Sequence, residues 1–67
     1  MSRVPLQVDI YFPPALHALA ITTILQAAKY PRHLKGRIYR VYIFKREAEV
    51  FIRKTAERHA ATIRTWP

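Results

Sequence analysis

The chain has 67 residues, no cysteine, and twelve Lys or Arg against four Asp or Glu, which gives a formal net charge of +8. This length favours one domain over residues 1–67, and the composition excludes disulfides and thiolate metal sites. A hydrophobic content of 51% with a single glycine argues against a disordered chain.

The charge is segregated along the chain. Residues 1–28 contain one Arg and one Asp, whereas residues 29–67 contain eleven Lys or Arg against three Glu. The net charge therefore comes from the second part alone. A neutral, apolar part joined to a cationic part indicates a small scaffold that presents a basic surface to an acidic partner.

The first predicted element is a strand over residues 4–12, where hydrophobic and polar residues alternate with a period of two. One side of this strand carries Leu6, Val8, Ile10 and Phe12, and the other carries Gln7, Asp9 and Tyr11. Pro13 and Pro14 end the strand, because proline cannot donate to a sheet. A helix is predicted from Pro14 to Lys29, since proline suits the first turn. Its predicted core stripe consists of Leu16, Leu19, Ala20, Ile24 and Ala27.

A membrane anchor is an alternative reading of residues 10–28, which carry no charge. The two prolines delay the helix start, and a helix over residues 14–28 would be about 22 Å long, against roughly 30 Å for the hydrocarbon core. The N-terminal residues also lack the pattern of a signal peptide. We therefore expect a cytoplasmic protein that does not span a membrane.

A basic loop over residues 31–36 is predicted to lead into a second strand, Arg37–Phe44. Its two faces are Tyr39, Val41 and Ile43, and Ile38, Arg40, Tyr42 and Phe44. Both faces are largely apolar, which predicts a central or covered strand. Arg40 stands out on the second face as either a solvated side chain or a ligand contact.

Helical spacing then predicts a second helix from Arg46 to Thr65, in which Glu49 and Arg53 form a favourable i, i+4 pair. Trp66 is expected to cap the core, with a binding platform as the alternative. The result is a small single α+β domain with the order strand, helix, strand, helix. Because a sheet of two strands is marginal, we also expect a homodimer.

Catalytic and metal sites are not indicated by the sequence. The four carboxylates lie on a strand and a charged helix, with no nucleophile beside a base and no glycine-rich phosphate loop. His17, His33 and His59 are too widely spaced for a typical metal site. We therefore expect no catalytic residue, no metal and no cofactor, and a protein that is not an enzyme.

The basic segment, residues 29–46, is the one positive functional signal. It combines seven Lys or Arg with three tyrosines. Cationic side chains bind phosphates through counterion release, and tyrosines either stack on bases or pack a core. This composition predicts nucleic-acid binding through a basic loop and strand. The alternative is a small inhibitor or adaptor whose cationic face binds an acidic protein.

Residues 25–54 resemble the second half of small excisionase-type winged-helix proteins, which are accessory proteins of mobile genetic elements. The resemblance rests on a helix end, a Lys-x-Pro turn, a Gly-Arg-x-aromatic-Arg-aliphatic segment and a helix with an inward Phe. In this sequence these motifs comprise Lys29, Tyr30, Pro31, Gly36, Arg37, Tyr39, Arg40, Val41 and Phe51.

The resemblance implies a winged-helix fold that binds duplex DNA. The helix before the turn would enter the major groove, with Thr22, Thr23 and Gln26 as base readers. The extended segment would be a wing that contacts the DNA backbone. The implied wing contacts are Lys35, Arg37 and Arg40.

The basic segment supplies further candidate phosphate contacts in Arg32, Lys45 and Arg46. Gly36 is expected to take positive φ or to allow close backbone approach at the turn. Arg37 and Arg40 are expected on opposite faces of the strand. We therefore predict that Arg37 contacts phosphate, and Arg40 is the more ambiguous of the two.

Overall fold

Residues 5–66 are described by the computed structural model, and they form a four-stranded antiparallel sheet with two helices. The elements are β1 (Leu6–Tyr11), α1 (Ala18–Gln26), β2 (Lys29–Lys35), β3 (Ile38–Ile43), α2 (Arg46–Arg58) and β4 (Thr62–Trp66). The sheet order is β2-β3-β1-β4. This βαββαβ order is the ferredoxin-like, or split βαβ, arrangement. The predicted small α+β domain is confirmed.

The hydrophobic core lies between one face of the sheet and the two helices. It consists of Val8, Ile10, Phe12, Ile24, Ala28, Val41, Ile43 and Ile52. The strand alternation predicted for β1 and β3 is correct, because Val8, Ile10, Val41 and Ile43 are all buried. The predicted central position of β3 is also confirmed. The opposite side of the sheet, called the open face below, is not covered by either helix.

The predicted basic loop is wrong, because residues 29–35 form the edge strand β2. This strand pairs with β3, and its register shifts between Lys29 and Arg32 and again between His33 and Lys35. An edge strand tolerates Pro31, whose nitrogen need not donate to a neighbour. The sequence does not predict this strand, because all seven residues of β2 are exposed and the segment lacks an alternation of hydrophobic and polar residues.

The second helix is shorter than predicted, because it ends at Arg58 and a fourth strand follows. The amide of Ala60 donates to the carbonyl of Glu57, and the amide of Ala61 donates to Ala56 at 2.8 Å. With Ala60 at φ 59°, these bonds form a Schellman motif, which closes helices with a left-handed residue. Glycine is usual at that position, so no residue in the sequence signals the end of this helix.

The first helix begins at Ala18 rather than at Pro14. The Nδ1 atom of His17 accepts a hydrogen bond of 3.1 Å from the amide of Leu19, so His17 caps the helix. Ile24 is buried as predicted, but Leu19 is 70% exposed, so the predicted core stripe is only partly correct. Within residues 5–66, no helix has the length and hydrophobicity needed to cross a membrane.

The winged-helix arrangement implied by the resemblance differs from this topology. Helix α1 packs Ile24 into the core against the sheet, and the segment expected to form a wing belongs to one four-stranded sheet with β1 and β4. Phe51, the residue expected to point inward, is 44% exposed, and Ile52 is buried in its place.

The four-stranded sheet also removes the reason for expecting a homodimer, which remains a prediction.

Gly36 confirms the expectation for the turn before β3. It adopts φ 53°, and no heavy atom lies within 4 Å of the position that a Cβ would occupy. The left-handed backbone, rather than crowding, is therefore the reason for glycine at this turn.

Candidate nucleic-acid interface

The open face is an ordered array, because residues paired across strands share a side of the sheet. Reading across β2, β3, β1 and β4, the register gives three rows. The first row is Lys29, Tyr42, Gln7 and Trp66; the second is Arg32, Arg40, Asp9 and Arg64; the third is Lys35, Ile38, Tyr11 and Thr62. Neighbours in a row belong to strands about 4.8 Å apart.

Asp9 occupies the centre of this array and is only 3% exposed. Arg40 donates to it twice, from Nε to Oδ1 at 2.8 Å and from Nη2 to Oδ2 at 3.2 Å. The hydrogen bond from Arg40 holds the pKa of Asp9 below its ordinary value of 3.8, although burial opposes this shift. The same contact raises the pKa of Arg40. The pair fixes a guanidinium group at the middle of the face.

Trp66 lies on the open face rather than over the core, so the expected capping role is wrong. The guanidinium carbon of Arg64 lies 4.3 Å from the centre of its ring, and that of Arg40 lies at 5.8 Å. Its buried Nε1 has no hydrogen-bond partner within the described residues. Trp66 thus packs against two guanidinium groups of the array.

A second aromatic group lies at the β2 side of the array. The ring of Tyr30 is edge-to-face with the rings of Tyr42 and Phe44, at centroid distances of 6.5 and 5.9 Å. Tyr42 in turn donates a hydrogen bond of 3.2 Å from its hydroxyl to Oε1 of Gln7. Tyr30 is 69% exposed, which leaves its ring accessible to a ligand.

The open face carries most of the uncompensated charge of the described chain. Its three rows contain five cations and one carboxylate, namely Lys29, Arg32, Lys35, Arg40, Arg64 and Asp9. Helix α1 has no charged residue, and α2 has four Lys or Arg against three Glu. The predicted Glu49–Arg53 pair of α2 is confirmed at 3.1 Å. The positive field is therefore concentrated on the side away from the helices.

The predicted contact residues are divided between the two sides of the domain. Arg32, Lys35 and Arg40 lie on the open face. Arg37 lies in the turn before β3 and is exposed, while its carbonyl accepts a 3.0 Å bond from the amide of Phe12. Lys45 and Arg46 lie at the start of α2 and are exposed.

The base readers implied by the resemblance are not brought together with the wing. Thr22, Thr23 and Gln26 are exposed on α1, whose buried residue Ile24 faces the core on the other side of the sheet. The two threonine hydroxyls donate to carbonyl oxygens of their own helix, at 3.0 and 2.9 Å. One ligand surface cannot include both these residues and the centre of the open face.

Nine residues of the array were absent from the predicted site, among them Gln7, Asp9, Lys29, Arg64 and Trp66. The period-two pattern of β1 already separated Gln7 and Asp9 from the hydrophobic side. Arg64 and Trp66 have the same two-residue spacing, but Arg64 was assigned to the predicted helix, so no strand was predicted there. Only the pairing of β4 with β1 brings them beside Asp9.

No protein-family model matches this chain, and no curated protein or solved structure matches it. The ferredoxin-like arrangement hosts many unrelated functions, so topology alone does not assign one. The functional assignment therefore depends on the side chains of the open face.

Proposed function

We propose that this protein binds nucleic acid through the open face of its sheet. One observation carries the proposal: five cations and the rings of Tyr11, Tyr42 and Trp66 share a face that neither α1 nor α2 covers. Cations neutralise phosphates and release condensed counterions, which provides affinity for any sequence. Aromatic side chains between them offer surfaces on which bases stack.

The second row supports an anionic ligand because folding stability does not explain its composition. Arg32 and Arg40 are directly opposite each other, and like charges in this position destabilise a sheet. Asp9 is the one carboxylate in a row with three guanidinium groups, and it already forms an ion pair with Arg40. A phosphate group near Arg32 and Arg64 would balance the remaining charge.

This surface replaces the recognition helix as the proposed interface. Helix α1 has no charged residue and lies on the other side of the sheet, so it offers little attraction for a phosphate backbone. The accessory-protein role suggested by the resemblance remains compatible with an open-face interface, since both require nucleic-acid binding.

Two double variants that remove the same charge from opposite sides provide the test. Lys29→Ala with Arg32→Ala alters the open face, and Lys54→Ala with Arg58→Ala alters α2, where both side chains are exposed. Binding to labelled single-stranded and duplex oligonucleotides is measured by fluorescence anisotropy between about 50 and 200 mM salt.

The parent affinity should fall steeply with salt, and the open-face variant should lower the slope by about two, because each lost phosphate contact contributes about one. The α2 variant should keep most of the parent slope. Equal losses in the two variants, or a parent affinity indifferent to salt, would contradict the proposal. Capture of an acidic protein after nuclease treatment, with no affinity for oligonucleotides, would support the adaptor alternative instead.

A further inference from the structure

We propose that the ligand is a single strand, whose unstacked bases lie on Tyr30 and Trp66 while its phosphates meet the surrounding cations. This inference rests on the proposed function and specifies its ligand. Aromatic platforms select single strands because only unpaired bases can turn a ring face towards a protein surface.

Tyr30 supplies the first argument through its backbone. Its φ of 52° is uncommon for a residue other than glycine, and it lies in the irregular segment between Lys29 and Arg32. Bulges of this kind re-aim side chains and are frequent beside functional sites. The strain is not offset by burial, because Tyr30 is 69% exposed. A strained backbone that holds an aromatic ring in solvent favours a contact with a ligand.

The first row supplies a second platform at the other edge of the sheet. Trp66 lies two strands from Tyr42, a separation of about 10 Å, and Arg64 already lies 4.3 Å over its ring. Guanidinium planes and indole rings both stack on bases. Between the platforms, Oε1 of Gln7 accepts a hydrogen bond from the hydroxyl of Tyr42. The amide NH₂ group of Gln7 is thereby left to donate to a base edge.

The shape of the face argues against duplex DNA as the preferred ligand. A major groove about 12 Å wide admits a helix or a two-stranded ribbon. The open face is a sheet of four strands, with about 14 Å between its outer strands even before side chains are counted. A single strand can instead lie across the sheet and present its bases to the rows.

The test compares a 12-nucleotide oligouridine, in RNA and DNA form, with a 12-base-pair duplex. Tyr30→Ala is matched with Phe51→Ala, which removes a 44% exposed ring from α2. Tyr30→Phe keeps the ring, and thermal melts check the folding of each variant. Because Trp66 is the only tryptophan, the intrinsic fluorescence of the protein reports stacking of a base on this ring. Inorganic polyphosphate, an anion without bases, is the control ligand in this measurement.

We expect single strands to bind at least tenfold more tightly than the duplex. Tyr30→Ala should weaken single-strand binding about tenfold, within the range for loss of one base stack, and Phe51→Ala and Tyr30→Phe should match the parent. Oligouridine should quench Trp66 and polyphosphate should not.

A duplex that binds as tightly as the single strand, or equal effects of Tyr30→Ala and Phe51→Ala, would overturn this inference and leave the proposed function in place. Failure of all three oligonucleotides to bind would overturn the proposed function itself.

Discussion

Arg40 donates a 2.8 Å hydrogen bond from Nε to Oδ1 of Asp9, although the two residues are 31 positions apart in the chain. The bond joins the two central strands on the open face, where Asp9 is almost completely buried. Removal of one partner from such a pair leaves an uncompensated charge, which costs more than the pair itself contributes. The pair therefore acts as a structural element within the proposed interface.

Arg40 and Arg37 should differ in their effect on stability. Arg40→Ala leaves the Asp9 carboxylate buried without its main partner and should lower the melting temperature by about 5 °C or more. Arg37 is exposed and contributes its carbonyl to a backbone bond, so Arg37→Ala should melt close to the parent while binding nucleic acid less tightly. Melts and oligonucleotide titrations of both variants check this. Equal melting temperatures for the two variants would contradict the assignment.

The Asp9 carboxyl should make stability dependent on pH in acid. Its pKa is lower in the folded chain than the ordinary 3.8 because of Arg40. The stabilisation is therefore complete above about pH 4 and is lost as the pH falls through the folded-state pKa. Denaturant unfolding of the parent and of Asp9→Asn between pH 7 and pH 2 measures the effect. The difference between the two proteins should shrink below pH 4, and a constant difference would contradict it.

Ala60 offers a stabilising substitution. It closes α2 with φ 59°, a conformation that costs an L-residue roughly 1–2 kcal/mol and costs glycine little. After the greater entropy of glycine in the unfolded chain is subtracted, Ala60→Gly should raise the free energy of unfolding by about 0.5–1 kcal/mol. Ala18→Gly, within the first turn of α1, should lower it. Urea unfolding of both variants measures these changes in the free energy of unfolding. A destabilised Ala60→Gly variant would refute the capping role of residue 60.

Arg32 should show a trade between stability and binding. It is exposed and opposite Arg40, so Arg32→Thr removes a like-charge pair and introduces a residue suited to strands. The melting temperature should remain unchanged or rise by about 1–3 °C, whereas oligonucleotide affinity falls. Thr62→Ser, which keeps a hydroxyl on the open face, serves as the control. A clear loss of stability in Arg32→Thr would show that this arginine has a structural partner.

The sequence determined the features that depend on local spacing. Period two separated Val8 and Ile10 from Asp9, and the same alternation separated Val41 from Arg40. The i, i+4 rule identified the Glu49–Arg53 pair, and the chemistry of glycine identified the turn at Gly36. These signals act over a few residues, so they do not require knowledge of the remaining chain.

Tertiary structure alone decided the outer strands and the composition of the candidate site. Strand β2 is stabilised by its pairing with β3. Strand β4 can begin because Ala60 ends α2 in a left-handed conformation, and no glycine in the sequence marks this position. The first row joins Gln7 to Trp66, which are near opposite ends of the chain. Strand order is set by the packing of two helices on one face, a non-local balance of buried area and chain entropy that short-range patterns do not encode.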